Sequence, residues 1–328
     1  GSSLASPLSP DTDPTRERLL LALPGFLSDG RQIKRLLREV GRRCIVVDPL
    51  GAGRSAGPTD AGEYAWSGQV RRLLAVLDAV SPGRVDLLGM SMGGMWAQQA
   101  LLAAPGRFAS VVLVASAARL NVRMRSILLG LRSLWVHGVP RLDVWRVLAP
   151  FLYSPDFLDR PSTVAMLEML ATDDRAHSAA AEAGRVLPLL QLESMLQHDA
   201  LDRLTTLGPP AGVRAVIGGA ADILMPASVQ TELAGALSAG GRTIVPTILP
   251  GAGHTLWIER PTELAGHVRA ALALAGGTGG GGQAAERGDA GHLRANGARR
   301  ERWRIGDEGE DLLSLGGELG ADGEAAVG

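Results

Sequence analysis

Cysteine is almost absent from this chain. Cys44 is the one cysteine among 328 residues, which excludes an internal disulfide framework and any zinc site built on several thiolates. It stands in the apolar run Cys44-Ile45-Val46-Val47 and is expected to be a small buried strand residue. Lysine is equally scarce: Lys34 is the only one, so arginine carries nearly all the positive charge. With 33 basic against 34 acidic residues the formal net charge is −1, and no global field recruits nucleic acid or an anionic membrane. No apolar run approaches the ~20 residues that span a bilayer. The first residues, Gly1-Ser2-Ser3-Leu4, have neither the basic start nor the long apolar stretch of a secretory signal. The default expectation is a cytoplasmic protein with no nucleic-acid or membrane partner.

Apolar material, by contrast, is plentiful. Hydrophobic residues make up 46% of the chain, enough for the core of one large α/β domain or two small ones. Short continuous apolar runs at 18–23, 44–47, 85–88, 111–115, 213–217 and 243–249 read as buried strands. Between them, residues 32–40, 66–80 and 261–275 have the spacing of helices. Val70, Leu73, Leu74 and Leu77, for example, share one helical face. Continuous rather than alternating strands, interleaved with helices, predict a mostly parallel sheet covered on both faces, an α/β fold. From about 120 to 204 no strand is convincing and helical stretches take over, so this segment reads as an insertion in one domain. Residues 1–18, rich in Ser, Pro, Asp and Thr, are expected to be a flexible lead-in. Residues 276–328 begin with a run of glycines and are expected to be a disordered tail, its one basic cluster lying at 299–304.

Gly89-Met90-Ser91-Met92-Gly93 carries the chemistry. It lies between an apolar strand and a helical pattern, the setting in which G-x-S-x-G forms a nucleophile elbow. The turn lifts the serine hydroxyl above the sheet edge and aims the Met92 amide at an incoming carbonyl oxygen. A serine hydroxyl needs a base, and the base needs an orienting acid. Among the six histidines, His254 is the best placed, in the small-residue loop Gly251-Ala252-Gly253-His254 after the last strand. His267 falls on the final helix and His292 in the tail, while His137, His177 and His198 lie in the helical insertion, where surface or packing roles are expected. Asp222, in the loop after the strand at 213–217, faces the same edge and is the candidate acid.

The chain order Ser91, Asp222, His254 resembles that of the α/β-hydrolase superfamily, and the likeness runs from about 19 to 275. Leu21-Ala22-Leu23-Pro24-Gly25-Phe26 resembles the strand leading to the family's oxyanion loop, and Asp48-Pro49-Leu50-Gly51-Ala52-Gly53-Arg54-Ser55 its Asp-x-x-Gly-x-Gly-x-Ser loop. Gly253-His254 with Glu259-Arg260-Pro261 resembles its histidine loop. The resemblance implies an α/β-hydrolase fold with a core at 19–119 and 205–275 and a helical cap at 120–204. It also implies that the Phe26 N–H is the second oxyanion donor beside Met92. Two departures stand out. Pro24 occupies the place of a histidine that usually supports the oxyanion loop, and residues 1–18 are too short and Pro-rich to supply two leading antiparallel strands.

Gly51-Ala52-Gly53 imitates a dinucleotide-binding loop, but Gly57-Pro58 prevents the helix such a loop must open, and a tight turn stabilised by Asp48 is expected instead. No cofactor or metal is called for. Trp135, Trp145, Leu148 and Trp257 are expected to line an apolar substrate pocket, while Arg119, Arg123, Arg125 and Arg132 form a basic stripe in the insertion. The reaction expected is cleavage of an ester, lactone or thioester of a small to medium apolar molecule through an acyl-enzyme. Two alternatives stay open. A lyase or cyclase could use the same triad without an acyl-enzyme, and a silent receptor would keep only the pocket. A haloperoxidase-like peracid side activity would share the acyl-enzyme. The oligomeric state is left open.

Overall fold

The computed structural model describes residues 18–55, 57–81, 83–172, 183–207, 212–238 and 243–273. The lead-in before residue 18 and the tail from residue 276 lie outside the described residues. Six strands form one sheet in the order β2-β1-β3-β4-β5-β6, every neighbouring pair parallel. They are β1 (Leu20–Leu23), β2 (Cys44–Val46), β3 (Val85–Met90), β4 (Phe108–Val114), β5 (Val213–Gly219) and β6 (Thr247–Leu249). The helices of the sheet layers are α1 (Gly30–Val40), α2 (Ala61–Tyr64), α3 (Trp66–Val80) and α4 (Met92–Ala103). Between β4 and β5 come α5 (Val122–Val136), α6 (Arg141–Leu152), α7 (Pro155–Leu158), α8 (Pro161–Thr172), α9 (Ala183–Leu196) and α10 (Leu201–Thr206). Then follow α11 (Ala227–Leu237), α12 (Leu256–Glu259) and α13 (Pro261–Ala273).

The two-residue period of the strands divides the core. Leu21, Leu23, Leu87 and Leu113 face one side and pack with Leu73 of α3, Trp96 of α4 and Leu233 of α11. Leu20, Ala22, Leu88 and Val112 face the other and meet Ile33 and Leu36 of α1 and Leu264 and Val268 of α13. Both faces are buried, which is why the strands read as continuous apolar runs. A third cluster joins Met92 and Met95 of α4 to Met124, Leu128 and Leu131 of α5, Leu148 of α6 and Met195 of α9. It seats the inserted helices over the C-terminal ends of the strands.

Helix ends follow local chemistry. Asp29 accepts the Arg31 N–H at 2.8 Å and starts α1, and Asn121 accepts the Met124 N–H at 2.9 Å and starts α5. Three expectations need correction. Cys44 is only half-buried, because it opens β2 at an edge of the sheet with β1 as its single strand neighbour; its burial still pushes the thiol pKa up. The strand expected at 243–249 shrinks to Thr247–Leu249. Pro246 has no N–H to pair, and Ile244 instead donates its N–H to Ser238 Oγ at 2.8 Å. Conversely, β4 begins at Phe108, three residues before the apolar run at 111–115, since Ser110 is fully buried within the strand despite its hydroxyl. Among the described residues no helix is long and apolar enough to cross a membrane.

Candidate active site

Ser91 is the only residue between β3 and α4, and its backbone is forced to φ 53° and ψ −118°. A non-glycine residue with positive φ stores strain that the surroundings must hold. Here its N–H donates to the Val114 carbonyl at 2.9 Å, and its carbonyl accepts the Gly94 N–H at 2.9 Å and the Ser116 hydroxyl at 3.0 Å. Close approach also dictates Gly93: a Cβ there would lie 2.1 Å from the Leu23 carbonyl oxygen and 2.4 Å from that of Pro24. Only glycine lets the start of α4 pack against the chain leaving β1.

His254 comes from the loop between β6 and α12. Its Nε2 lies 2.9 Å from Ser91 Oγ, and its Nδ1 lies 2.9 Å from Asp222 Oδ2. The other Asp222 oxygen, Oδ1, accepts the N–H groups of Leu224 at 2.9 Å and Met225 at 2.7 Å. The side chains of His254 and Asp222 are 3% and 0% exposed. A carboxylate can only accept, so the Nδ1 hydrogen is directed to Asp222, leaving Nε2 as an acceptor facing the Ser91 hydroxyl. Three residues far apart in sequence, all singled out from it, therefore meet in one hydrogen-bonded chain.

The Gly25-Phe26 turn abuts the serine: a Cβ on Gly25 would lie 3.2 Å from Ser91 Cβ. The Ser28 N–H closes this turn on the Gly25 carbonyl at 3.2 Å, with Leu27 at φ 56°. Pro24 supplies no side-chain donor, so the turn is held by backbone. Among the described residues the amides of Phe26 and Met92 donate to no other backbone group. Met92 opens α4, where the first amides of a helix have no partner within it. Both amides are thus left without a backbone acceptor, one in the turn that abuts Ser91 and one on the residue that follows it. Asp48 accepts the Gly30 N–H at 2.8 Å and the Arg54 N–H at 3.1 Å, tying its loop to the start of α1.

A cavity of about 50 Å³ is bounded by Ser91, His254, the Phe26 turn and the inserted helices. Its wall includes Trp145 and Leu148 of α6 and Trp257 of α12. Trp257 meets the His254 ring edge-on at 6.0 Å. Trp135 stands one layer back, its ring packed edge-on against Phe26 at 5.8 Å, and it is not on the wall. Tyr153, Met195 and Ser28, which no sequence motif marks, also line the cavity. Glu259, set directly after Leu256-Trp257-Ile258, carries the sequence signal of a buried acid. The arginine stripe is largely engaged elsewhere. Arg119 pairs with Glu232 at 2.7 Å, Arg132 with Glu193 at 2.6 Å, and Arg125 donates to the Leu196 carbonyl. A larger open groove of about 1180 Å³, between α3 and α4, contains none of Ser91, Asp222 or His254. Among the described residues no cluster of three His, Cys, Asp or Glu could hold a metal ion.

Comparison with known proteins bears on the fold and the family. The family model described as "Alpha/beta hydrolase family" matches residues 20–268. The pimeloyl-[acyl-carrier protein] methyl ester esterase of Edwardsiella ictaluri is 32% identical over 225 residues, which is 67% of this chain and 78% of that protein. Among solved structures, an alpha/beta hydrolase from a Medee basin deep-sea metagenome library superposes with a TM-score of 0.68 at 19% identity, covering 79% of this chain and 90% of that one. The enol-lactonase of Burkholderia xenovorans LB400 superposes with a TM-score of 0.65, again at 19% identity, covering 79% and 92%.

Proposed function

Because the chain belongs to the alpha/beta hydrolase family, we propose that it is a serine hydrolase that cleaves an ester, lactone or thioester of a small to medium apolar molecule. The observation that carries this reading is the chain Ser91 Oγ to His254 Nε2 and His254 Nδ1 to Asp222, each link 2.9 Å. Ser91 attacks the carbonyl carbon as His254 takes its proton. The Phe26 and Met92 amides hold the tetrahedral oxyanion, where one such donor is typically worth about 2.7–4 kcal/mol of transition-state stabilisation. His254 then protonates the leaving alkoxide or thiolate, which departs with the proton. Water enters, gives a proton to His254 and attacks the acyl-enzyme, and the acid is released as Ser91 regains its hydrogen. Asp222 keeps the imidazole in the tautomer this cycle needs.

The inserted helices act as a cap that selects the substrate. A cavity of about 50 Å³ is small beside the roughly 300 Å³ or more of ligand pockets, so an acyl chain is accommodated as α5 or α6 shifts. Its wall is mostly apolar, with Leu128, Leu131, Trp145 and Leu148 among its residues, which favours an alkyl or ring-bearing acyl group. The ester named for the Edwardsiella relative and the lactone named for the Burkholderia structure contain bonds of the proposed type.

The test is a panel of p-nitrophenyl esters, lactones and acyl thioesters, with and without Ser91→Ala. Turnover of at least one class, lost in the variant, is the expected result. Equal turnover by Ser91→Ala would remove the serine from the mechanism. Covalent labelling of Ser91 without turnover of any class would move the reading to a lyase or cyclase on the same residues.

A further inference from the structure

The loop that carries His254 is gripped by the inserted helices as well as by the sheet. Glu259, at the end of α12, is 8% exposed. Its carboxylate accepts three hydrogen bonds: Oε2 takes the Gly253 N–H at 3.1 Å and the Ser154 hydroxyl at 2.6 Å, and Oε1 takes the Ser154 N–H at 3.1 Å. On the other side of His254, Thr255 donates its N–H at 3.0 Å and its hydroxyl at 3.1 Å to the Leu152 carbonyl. Leu152 ends α6, and Ser154 follows two residues later. Both chain neighbours of His254 are therefore tied to one end of α6, whose inward residues Trp145 and Leu148 wall the cavity. The surfaces are in close contact, since a Cβ on Gly253 would lie 2.4 Å from both Glu259 Oε1 and the Ser154 nitrogen.

We infer that Glu259 is a positioning residue that sets His254 through Ser154, so that the end of α6 and the base move as one body. This rests on His254 being the base proposed above. Bonds to a carboxylate are shorter and about twice as strong as neutral ones, and the Glu259 carboxylate gathers donors from the histidine loop and from the cap. A substrate that pushes α6 aside to enter also displaces His254, and proton transfer resumes only when the cap has closed over it. Displacement of a reacting group by ~1 Å costs on the order of 100-fold in rate, so this linkage confines chemistry to the closed enzyme.

The test uses the full chain and an alkyl fluorophosphonate, whose covalent reaction with Ser91 needs no knowledge of the natural substrate. The maximal rate of modification and the concentration giving half that rate are measured for wild type, Ser154→Ala, Ser154→Thr, Glu259→Gln, Ser91→Ala and His254→Ala, with thermal unfolding to establish that each is folded. Ser154→Ala and Glu259→Gln are expected to lower the maximal rate about 10–100-fold with the half-saturating concentration within about twofold, and Ser154→Thr to react like wild type. Should Glu259→Gln fail to fold, Ser154→Ala, which deletes one hydroxyl, carries the test. Wild-type rates in Ser154→Ala and Glu259→Gln, with Ser91→Ala unlabelled and His254→Ala slow, would overturn the inference and leave the hydrolase reading intact. A loss confined to the half-saturating concentration, or one that Ser154→Thr does not correct, would overturn it too. Wild-type speed in His254→Ala would instead strike the reading beneath it.

Discussion

At the scale of single residues, the site was legible wherever its geometry depends on local rules. The elbow announces itself because a serine at φ 53° and a glycine that must clear the Leu23 carbonyl leave few residue choices around them. His254 and Asp222 could be placed because each sits in a short loop directly after a strand. Trp135 could not, since its contact with Phe26 joins α5 to the turn after β1 and nothing in the local sequence encodes that distance. Glu259 likewise acquires its role from Ser154, 105 positions away. Asp222 yields a prediction at this scale. Asp222→Asn keeps the volume but presents an amide to Nδ1 and disfavours the tautomer in which Nε2 is free to accept. Turnover should fall about 10³–10⁴-fold with little change in KM, measured by steady-state ester hydrolysis. A loss under tenfold would show that His254 finds its tautomer without the acid.

Among elements, strands and helices with a clean period were foreseen and their ends were not. Pro246, with no N–H to pair, shortens β6, whereas β4 takes in the buried Ser110 because pairing with β3 overrides what its side chain alone suggests. His198 belongs at this scale, since it pins the segment after α9 to α4 and the strand layer. It is 2% exposed, with Nε2 3.1 Å from the Ala117 carbonyl and Nδ1 3.3 Å from Gln99 Nε2, and its ring meets Trp66 edge-on. Burial lowers its pKa from 6.5 to about 4, opposed by the hydrogen bond to the Ala117 carbonyl and by Asp199, with Arg203 adding to the effect. The unfolded chain therefore takes up a proton at this residue below 6.5 while the folded protein stays neutral until about 4. Stability that is complete above the upper value is lost as pH falls through this window, by at most about 3 kcal/mol. Urea unfolding across that range should show the loss in wild type and a flatter profile in His198→Gln. Identical profiles would mean that His198 does not govern it.

For the whole molecule, the class of fold followed from the alternation of strand and helix, whereas the fit between the inserted helices and the core did not. That fit is a packing of side chains from α4, α5, α6 and α9, and sequence periodicity reports only that each has an apolar face. The cavity volume gives the prediction here. Leu148 is 3% exposed and stands on the cavity wall, so Leu148→Ala enlarges the space available to a bound acyl group. The ratio of kcat/KM for p-nitrophenyl octanoate to that for the acetate should rise about tenfold, the equivalent of about one well-placed methylene or two. The same change should cost about 2–5 kcal/mol of stability, read from denaturant unfolding. An unchanged ratio would place the acyl chain along another wall.

The hydrogen bond between His254 and Ser91 spans 163 positions of sequence. Its two ends are brought together only when β3, β5 and β6 have all joined the sheet, because β5 and β6 carry the loops of Asp222 and His254. Parallel strands joined through long connections are slow to assemble, since the entropy of closing each loop is spent before its contacts return anything. A chain in which β5 or β6 has not joined the sheet therefore lacks the Ser91–His254–Asp222 hydrogen-bonded chain. That chain of contacts is in this sense a property of the finished topology, a mark within the molecule that the sheet is complete.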